Sequence, residues 1–194
     1  MYMKKEYKIT PNIWGPMAWN FLHNLPNCII GKIKNELKEK YIKFIYNYEY
    51  LIPCKICTKH YREFIRNNKI NIKKLNKKYL QEYICKMHNN VNKINNKKQY
   101  SLNECLKAQK RINHKMFYTY INIVLLYYKK EQISITKLNE IKNMFYYLGY
   151  IYPNENKKKI ISAETKKESF SDITDINELI TWYLELLKKL KFKN

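Results

Sequence analysis

The sequence predicts an all-α fold, and three observations carry that prediction. Apolar residues recur at three- and four-residue spacing along nearly the whole chain of 194 residues. Glycine and proline number only 3 and 5, too few for a turn-rich β architecture. Two helix-start signatures, Ser101-x-x-Glu104 and Asp175-x-x-Glu178, each stand just before an apolar periodic run.

Taken in order, the first helix reads as Asn12–Leu25, with Gly15-Pro16 at its start and Met17, Phe21 and Leu25 on one face. A second, over about 32–51, places Leu37, Tyr41, Phe44, Tyr48 and Leu51 on one stripe, suited to core or dimer contacts. Pro53 opens a third over 54–67, with Ile56, Phe64 and Ile65 as apolar positions. The fourth, about 76–95, carries Leu80, Ile84, Met87, Val91 and Ile94 in a 4-3-4-3 rhythm. The Ser101 box starts a short fifth helix, and this compact unit ends near residue 110. Beyond it, 113–130 is an aromatic and aliphatic helix that reads as buried or partner-facing. Another helix is expected over 136–148, a charged loop over 157–171, and a last amphipathic helix after Asp175. No internal repeat is evident.

Composition narrows the function classes. There are 38 basic and 16 acidic residues, a net charge of +22. Nucleic acid is the first thought, but Arg supplies only 3 of the 38, whereas base and phosphate recognition leans on Arg forks. The basic residues are spread along the chain without a dense block or a nucleic-acid motif. Weak attraction to polyanions is expected, and specific nucleic-acid binding is not. No apolar run has the roughly 18 to 20 residues of a membrane span, and MYMKKEYKITPNIWG lacks the apolar segment of a secretory leader.

Five cysteines stand at 28, 54, 57, 85 and 105. Outside a secreted scaffold such a pattern reads as catalytic or metal-binding. Cys54-Lys-Ile-Cys57 is a C-x-x-C at a helix start, where the partial positive charge of the helix end and the cations Lys55, Lys59 and Arg62 favour the Cys54 thiolate. Such a pair can cycle between dithiol and disulfide. A zinc site drawing on Cys54, Cys57, His60, Cys85 and His88 is the alternative, although no second C-x-x-C and no classical finger spacing is present. On the fourth helix Cys85, His88, Asn89 and Asn92 share one polar stripe, opposite the apolar one. Groups that both donate and accept, lined along a helix, suit a heteroaromatic ligand as well as they suit solvent. In the first helix Trp19 and His23 are i, i+4 and lie on one side, which alone reads as packing.

Taken together, the order W-G-P-x-x-W-x-x-x-H, P-C-x-x-C, C-x-x-H-N-x-V-N and a later Cys resembles the Erv/ALR family of FAD-linked sulfhydryl oxidases over about residues 11–110. The W-G-P form is similar to members from large DNA viruses and some protists. The resemblance implies a four-helix bundle cradling FAD, a short fifth helix, and a division into an oxidase domain, 1–110, and a helical extension of unassigned role, 111–194. It makes Cys57 the flavin-proximal sulfur and Cys54 the one that exchanges with the incoming dithiol. It puts Trp14, Gly15, Pro16, Trp19, His23, Tyr61, His88, Asn89, Asn92 and Lys97 about the FAD, and pairs Cys85 with Cys105 in a structural disulfide. It implies O2 as acceptor with H2O2 as product, a homodimer, and a protein dithiol substrate of the thioredoxin-like kind, since no second redox pair is present. It also implies a location: the host cytoplasm, a virus factory or the virion, or else the mitochondrial intermembrane space or the ER. Two departures stand out. Asn96 replaces a glycine before Lys97, and Arg111 and Ile112 stand where the family carries an aromatic. Cys28 is left over and reads as a buried thiol or an intermolecular bridge.

Overall fold

The structure, a computed structural model, describes residues 9–107 and 112–191. Arg111, the boundary near residue 110 and the first eight residues lie outside them. Among the described residues there are ten α-helices and no strand. They are α1 (Pro11–Asn24), α2 (Asn35–Asn47), α3 (Lys55–Asn67), α4 (Lys77–Ile94), α5 (Leu102–Lys107), α6 (His114–Glu131), α7 (Ile135–Ile151), α8 (Glu155–Glu164), α9 (Glu168–Ser171) and α10 (Ile176–Lys189). Short 3-10 turns follow α1 and α2 and precede α4. No helix is long and apolar enough to cross a membrane.

Local chemistry accounts for most of the boundaries. Asn76, Asn113, Ser134, Asn154 and Asp175 each cap a helix by accepting a backbone N–H in the first turn. Ser101 accepts from Glu104 N–H while the Glu104 carboxylate accepts from Ser101 N–H, so the expected capping box forms. Asn96 takes φ 52°, the left-handed conformation that ends α4.

Three expectations need correction. Pro16 lies inside α1, because Pro11 occupies the first turn and starts the helix earlier. The segment 157–171 is not a loop but most of α8 and all of α9. Its anchors, Ile161, Thr165 and Phe170, are too few and too widely spaced among lysines to produce a periodic signal. They suffice because α8 lies close against α7, where a Cβ on Gly149 would come within 2.8 Å of the Ser162 Cα. Ile56, expected to be buried, is 64% exposed, and at the far end of α4 Ile94 is exposed as well.

One hydrophobic core runs through the molecule, shared by the part that carries the motifs and the part beyond residue 110. α6 packs along α1 and α7 along α2. Phe21 stacks on Phe117 with centroids 4.0 Å apart, and Asn113 N–H donates to the Asn20 side chain. Buried Tyr120 reaches back to donate to the Leu51 carbonyl, just ahead of the C-x-x-C. The stripe of α2 is thus covered within the chain: Tyr41, Phe44 and Tyr48 are all core residues.

Candidate active site

Pro53 and the turn after α2 deliver the chain to α3 in extended form, and Cys54 becomes the N-cap. Its Sγ accepts the Cys57 N–H at 3.2 Å, so one sulfur holds the position where a helix end best stabilises negative charge. Cys54 and Cys57 form a disulfide, with Cα atoms 5.3 Å apart, and both residues are only partly buried. Thr58 braces the turn by donating to the Cys54 carbonyl. Buried Tyr61, one turn on from Cys57, donates to the Ile45 carbonyl and ties α3 to α2.

A second disulfide joins Cys85 of α4 to Cys105 of α5, across 20 residues, with both cysteines buried. The three cysteines of the zinc alternative, Cys54, Cys57 and Cys85, are therefore all engaged in disulfides, and among the described residues no three potential ligands gather about a point. Cys28 is free and half-buried; burial pushes its thiol up to about 12, which keeps it protonated and unreactive.

Between α1 and α4 lies a cluster of rings. Trp19 stacks flat on His88, centroids 4.0 Å apart and planes within 8°. His23 Nε2 and His88 Nδ1 share a hydrogen bond of 2.8 Å, so one ring donates and the other accepts. Burial lowers both imidazoles to about 4, helped at His88 by the neighbouring His23 and Lys97. Both are neutral at physiological pH and act as hydrogen-bonding groups rather than charges. The second nitrogen of His23, Nδ1, is buried without a partner among the described residues, and so is Trp14 Nε1. Trp14 lies on the same helix, stacked on Tyr120 of α6. Next to it, a Cβ on Gly15 would meet no atom within 4 Å, and Pro16 is exposed.

The asparagines of the polar stripe are engaged elsewhere. Asn89 both donates to the Tyr100 carbonyl and accepts the Tyr100 N–H, and Asn92 donates to the Lys98 carbonyl. Lys97 N–H closes the end of α4 on the Asn92 carbonyl, while its side chain is exposed. The stripe thus clamps the 97–101 segment, which leads to the second disulfide. Among the site residues, Trp19, His23 and His88 converge, Trp14 and Gly15 lie earlier on the same helix, and Asn89, Asn92 and Lys97 belong to this clamp. Missing from the sequence reading are Tyr120 and the residues of α6 and α7 near α3. Tyr120 stood in a run read as buried, but nothing in that run says which neighbour it meets.

Comparison with known proteins meets the chain over this same region. Residues 16–112 match the model of the Erv1/Alr family. FAD-linked sulfhydryl oxidases from two isolates of African swine fever virus, one from a pig in Kenya and one from a tick in Malawi, are each 34% identical over 93 residues, which is 47% of this chain and 75% of theirs. The mitochondrial FAD-linked sulfhydryl oxidase of Saccharomyces cerevisiae is 25% identical over 89 residues, 46% of each chain. No solved structure matches. With half the chain in the family model, and the matched half holding both disulfides and the ring cluster, this protein is a member of the Erv1/Alr family.

Proposed function

We propose that the protein is an FAD-dependent thiol oxidase that forms disulfides in protein dithiols. The observation that carries the reading is the partly exposed Cys54–Cys57 disulfide, with Cys54 as the cap of α3, in a chain of this family.

A substrate thiolate attacks Cys54 Sγ, the Cys54–Cys57 bond breaks, and Cys57 leaves as a thiolate. The second substrate thiol then attacks the mixed disulfide. Cys54 leaves with its charge held by the Cys57 N–H and the helix end, and the substrate departs with a new disulfide. Two electrons and two protons have passed from substrate to the Cys54–Cys57 pair. FAD, when bound, supplies a two-electron acceptor that O2 can reoxidise with release of H2O2.

The residues present fit such a group. Trp19, His23 and His88 offer ring faces and neutral imidazole edges, and two buried N atoms, His23 Nδ1 and Trp14 Nε1, await a partner. Gly15 leaves open space beside them. We assign Trp14, Gly15, Pro16, Trp19, His23, Tyr61 and His88 to holding the flavin. Asn89, Asn92 and Lys97 then bound it through the loop they clamp.

The division at residue 110 is kept as the limit of the oxidase part, with residues 111–194 as an extension whose described residues, 112–191, share its core. A thioredoxin-like protein is the dithiol partner that this reading favours. A homodimer, if formed, uses a surface other than the α2 stripe, which α7 covers. Two of the matched relatives are viral and one is mitochondrial, so a virus factory and the intermembrane space are the two locations to test.

The test is direct. Purified protein should be yellow, release FAD on denaturation and consume O2 when given dithiothreitol. A colourless protein, or one that leaves the dithiol reduced, overturns the reading.

A further inference from the structure

The helices beyond the family match reach the redox disulfide. Lys55, inside the C-x-x-C, pairs with Glu131 at the end of α6 at 2.7 Å. Beside this pair a groove of about 180 Å³ opens between α3 and the α6–α7 turn. Ile52 and Lys55, which bracket Cys54 in the chain, form its near wall together with Arg62; Tyr127, Tyr128 and Lys137 form the far wall. The far wall lies wholly outside residues 16–112, the part shared with the family.

The groove is electrostatically unbalanced. The acid that lines it, Glu49, is engaged by Arg62, and Glu131 at its side is engaged by Lys55. Lys137 has its ammonium 4.4 Å from the centre of the Tyr128 ring and forms no ion pair among the described residues. Burial lowers its affinity for a proton, with Glu131 and Glu49 acting against that and Arg62 and Lys55 acting with it. Exposed Ile56 adds an apolar contact between the two cysteines.

We propose that this groove seats an acidic side chain flanking the reactive cysteines of the protein substrate, so that α6 and α7 select the substrate of the redox pair. The inference rests on the oxidase reading above and adds to it the chemistry of what docks. A carboxylate seated beside Lys137 meets its ammonium and the edge of the Tyr128 ring, while the neighbouring substrate thiol comes to Cys54. The +22 of the whole chain steers such partners in general. The groove makes the preference local.

The experiment uses the full-length flavoprotein and two reduced peptides that share one C-x-x-C, one flanked by aspartates and the other by lysines. Thiol loss is followed at low and at high salt. The acidic peptide is expected to have a kcat/KM about fivefold higher at low salt, through KM, and the advantage shrinks with salt. Lys137→Glu should erase the preference and Lys137→Gln should reduce it. Lys159→Glu, on α8 at the opposite end of α7, removes the same charge and should leave it in place. The preference is a ratio measured on one sample, so partial loss of fold cancels. Equal use of the two peptides, or a preference that Lys137→Glu and Lys159→Glu alter equally, overturns the proposal while dithiothreitol turnover upholds the oxidase reading. If dithiothreitol is not oxidised either, both fall together.

Discussion

Cys54–Cys57 closes a three-residue separation at a partly exposed helix start, whereas Cys85–Cys105 spans 20 residues and lies buried where α5 meets α4. The chemistry of the bond is the same in both places, and the surroundings separate the uses. A short loop takes little freedom from the unfolded chain, and an accessible sulfur at a helix N-terminus is easily attacked and easily released. A long loop constrains the unfolded chain more, and burial keeps attacking thiolates away. Position in the fold, rather than the cysteines themselves, distinguishes a redox pair from a clip.

The largest effect expected from breaking this comparison is on turnover. Cys54→Ser and Cys57→Ser should each abolish dithiol oxidation while circular dichroism and the thermal midpoint stay close to those of the parent. The two should differ in colour. Cys54→Ser leaves Cys57 as a free thiol beside the flavin and should add a long-wavelength charge-transfer band; Cys57→Ser should not. A reversed pattern would exchange the two roles.

The complementary change, Cys85→Ala with Cys105→Ala, should act on stability. Loss of a clip of this length costs about 3 kcal/mol in the chain-entropy account, a fall in Tm of roughly 6–12 °C for a chain of this size. FAD should loosen as well, since His88 shares α4 with Cys85, but turnover per bound flavin should persist. Normal stability and FAD content with lost turnover would instead make this pair an electron shuttle.

A smaller effect follows from the ring cluster between α1 and α4. His23 and His88 have their folded values lowered to about 4, against 6.5 when unperturbed. Above 6.5 both states are neutral and nothing is lost. Between 6.5 and 4 the unfolded chain binds the protons that the folded chain refuses, so stability declines as pH falls through that window. Tm measured from pH 7 to pH 4.5 should drop by several degrees, and His23→Gln should flatten the slope. The smallest effect belongs to the fifth cysteine. Cys28→Ala should leave turnover and the monomer–dimer balance unchanged, because its thiol is held protonated and partly buried. A dimer that is lost on reduction and lost in this variant would show Cys28 to be an intermolecular bridge.

The first, third and fourth helices were legible in the sequence to within a residue at each end, since caps such as Asn76 act within a turn of their own position, whereas the second, read over 32–51, is the shorter Asn35–Asn47 followed by a 3-10 turn. The stretch 157–171 was not legible, because its helices depend on a close approach to Gly149 rather than on their own pattern. The C-x-x-C at a helix start could be read from the sequence, but its spacing left a zinc site open, and the disulfide it forms is seen only in the fold. Asn89 and Asn92 stood out as a polar stripe, but their partners are backbone atoms of Tyr100 and Lys98, and a side-chain pattern carries no record of these.

By itself, then, the sequence determined the all-α class, the C-x-x-C at a helix start and the placing of Trp19, His23 and His88 on helix faces. These depend on three- and four-residue spacing and on capping, interactions that close within one or two turns. Only the tertiary structure decided that α7 covers the α2 stripe, that Tyr120 stacks on Trp14, and that Lys137 and Tyr128 come to share a groove with Lys55 of the C-x-x-C. Periodicity states that a face is apolar but not what lies against it. Contacts between residues 69 to 106 positions apart, such as Tyr120 with Leu51 and Lys40 with Tyr146, are settled when whole helices pack into a shared core.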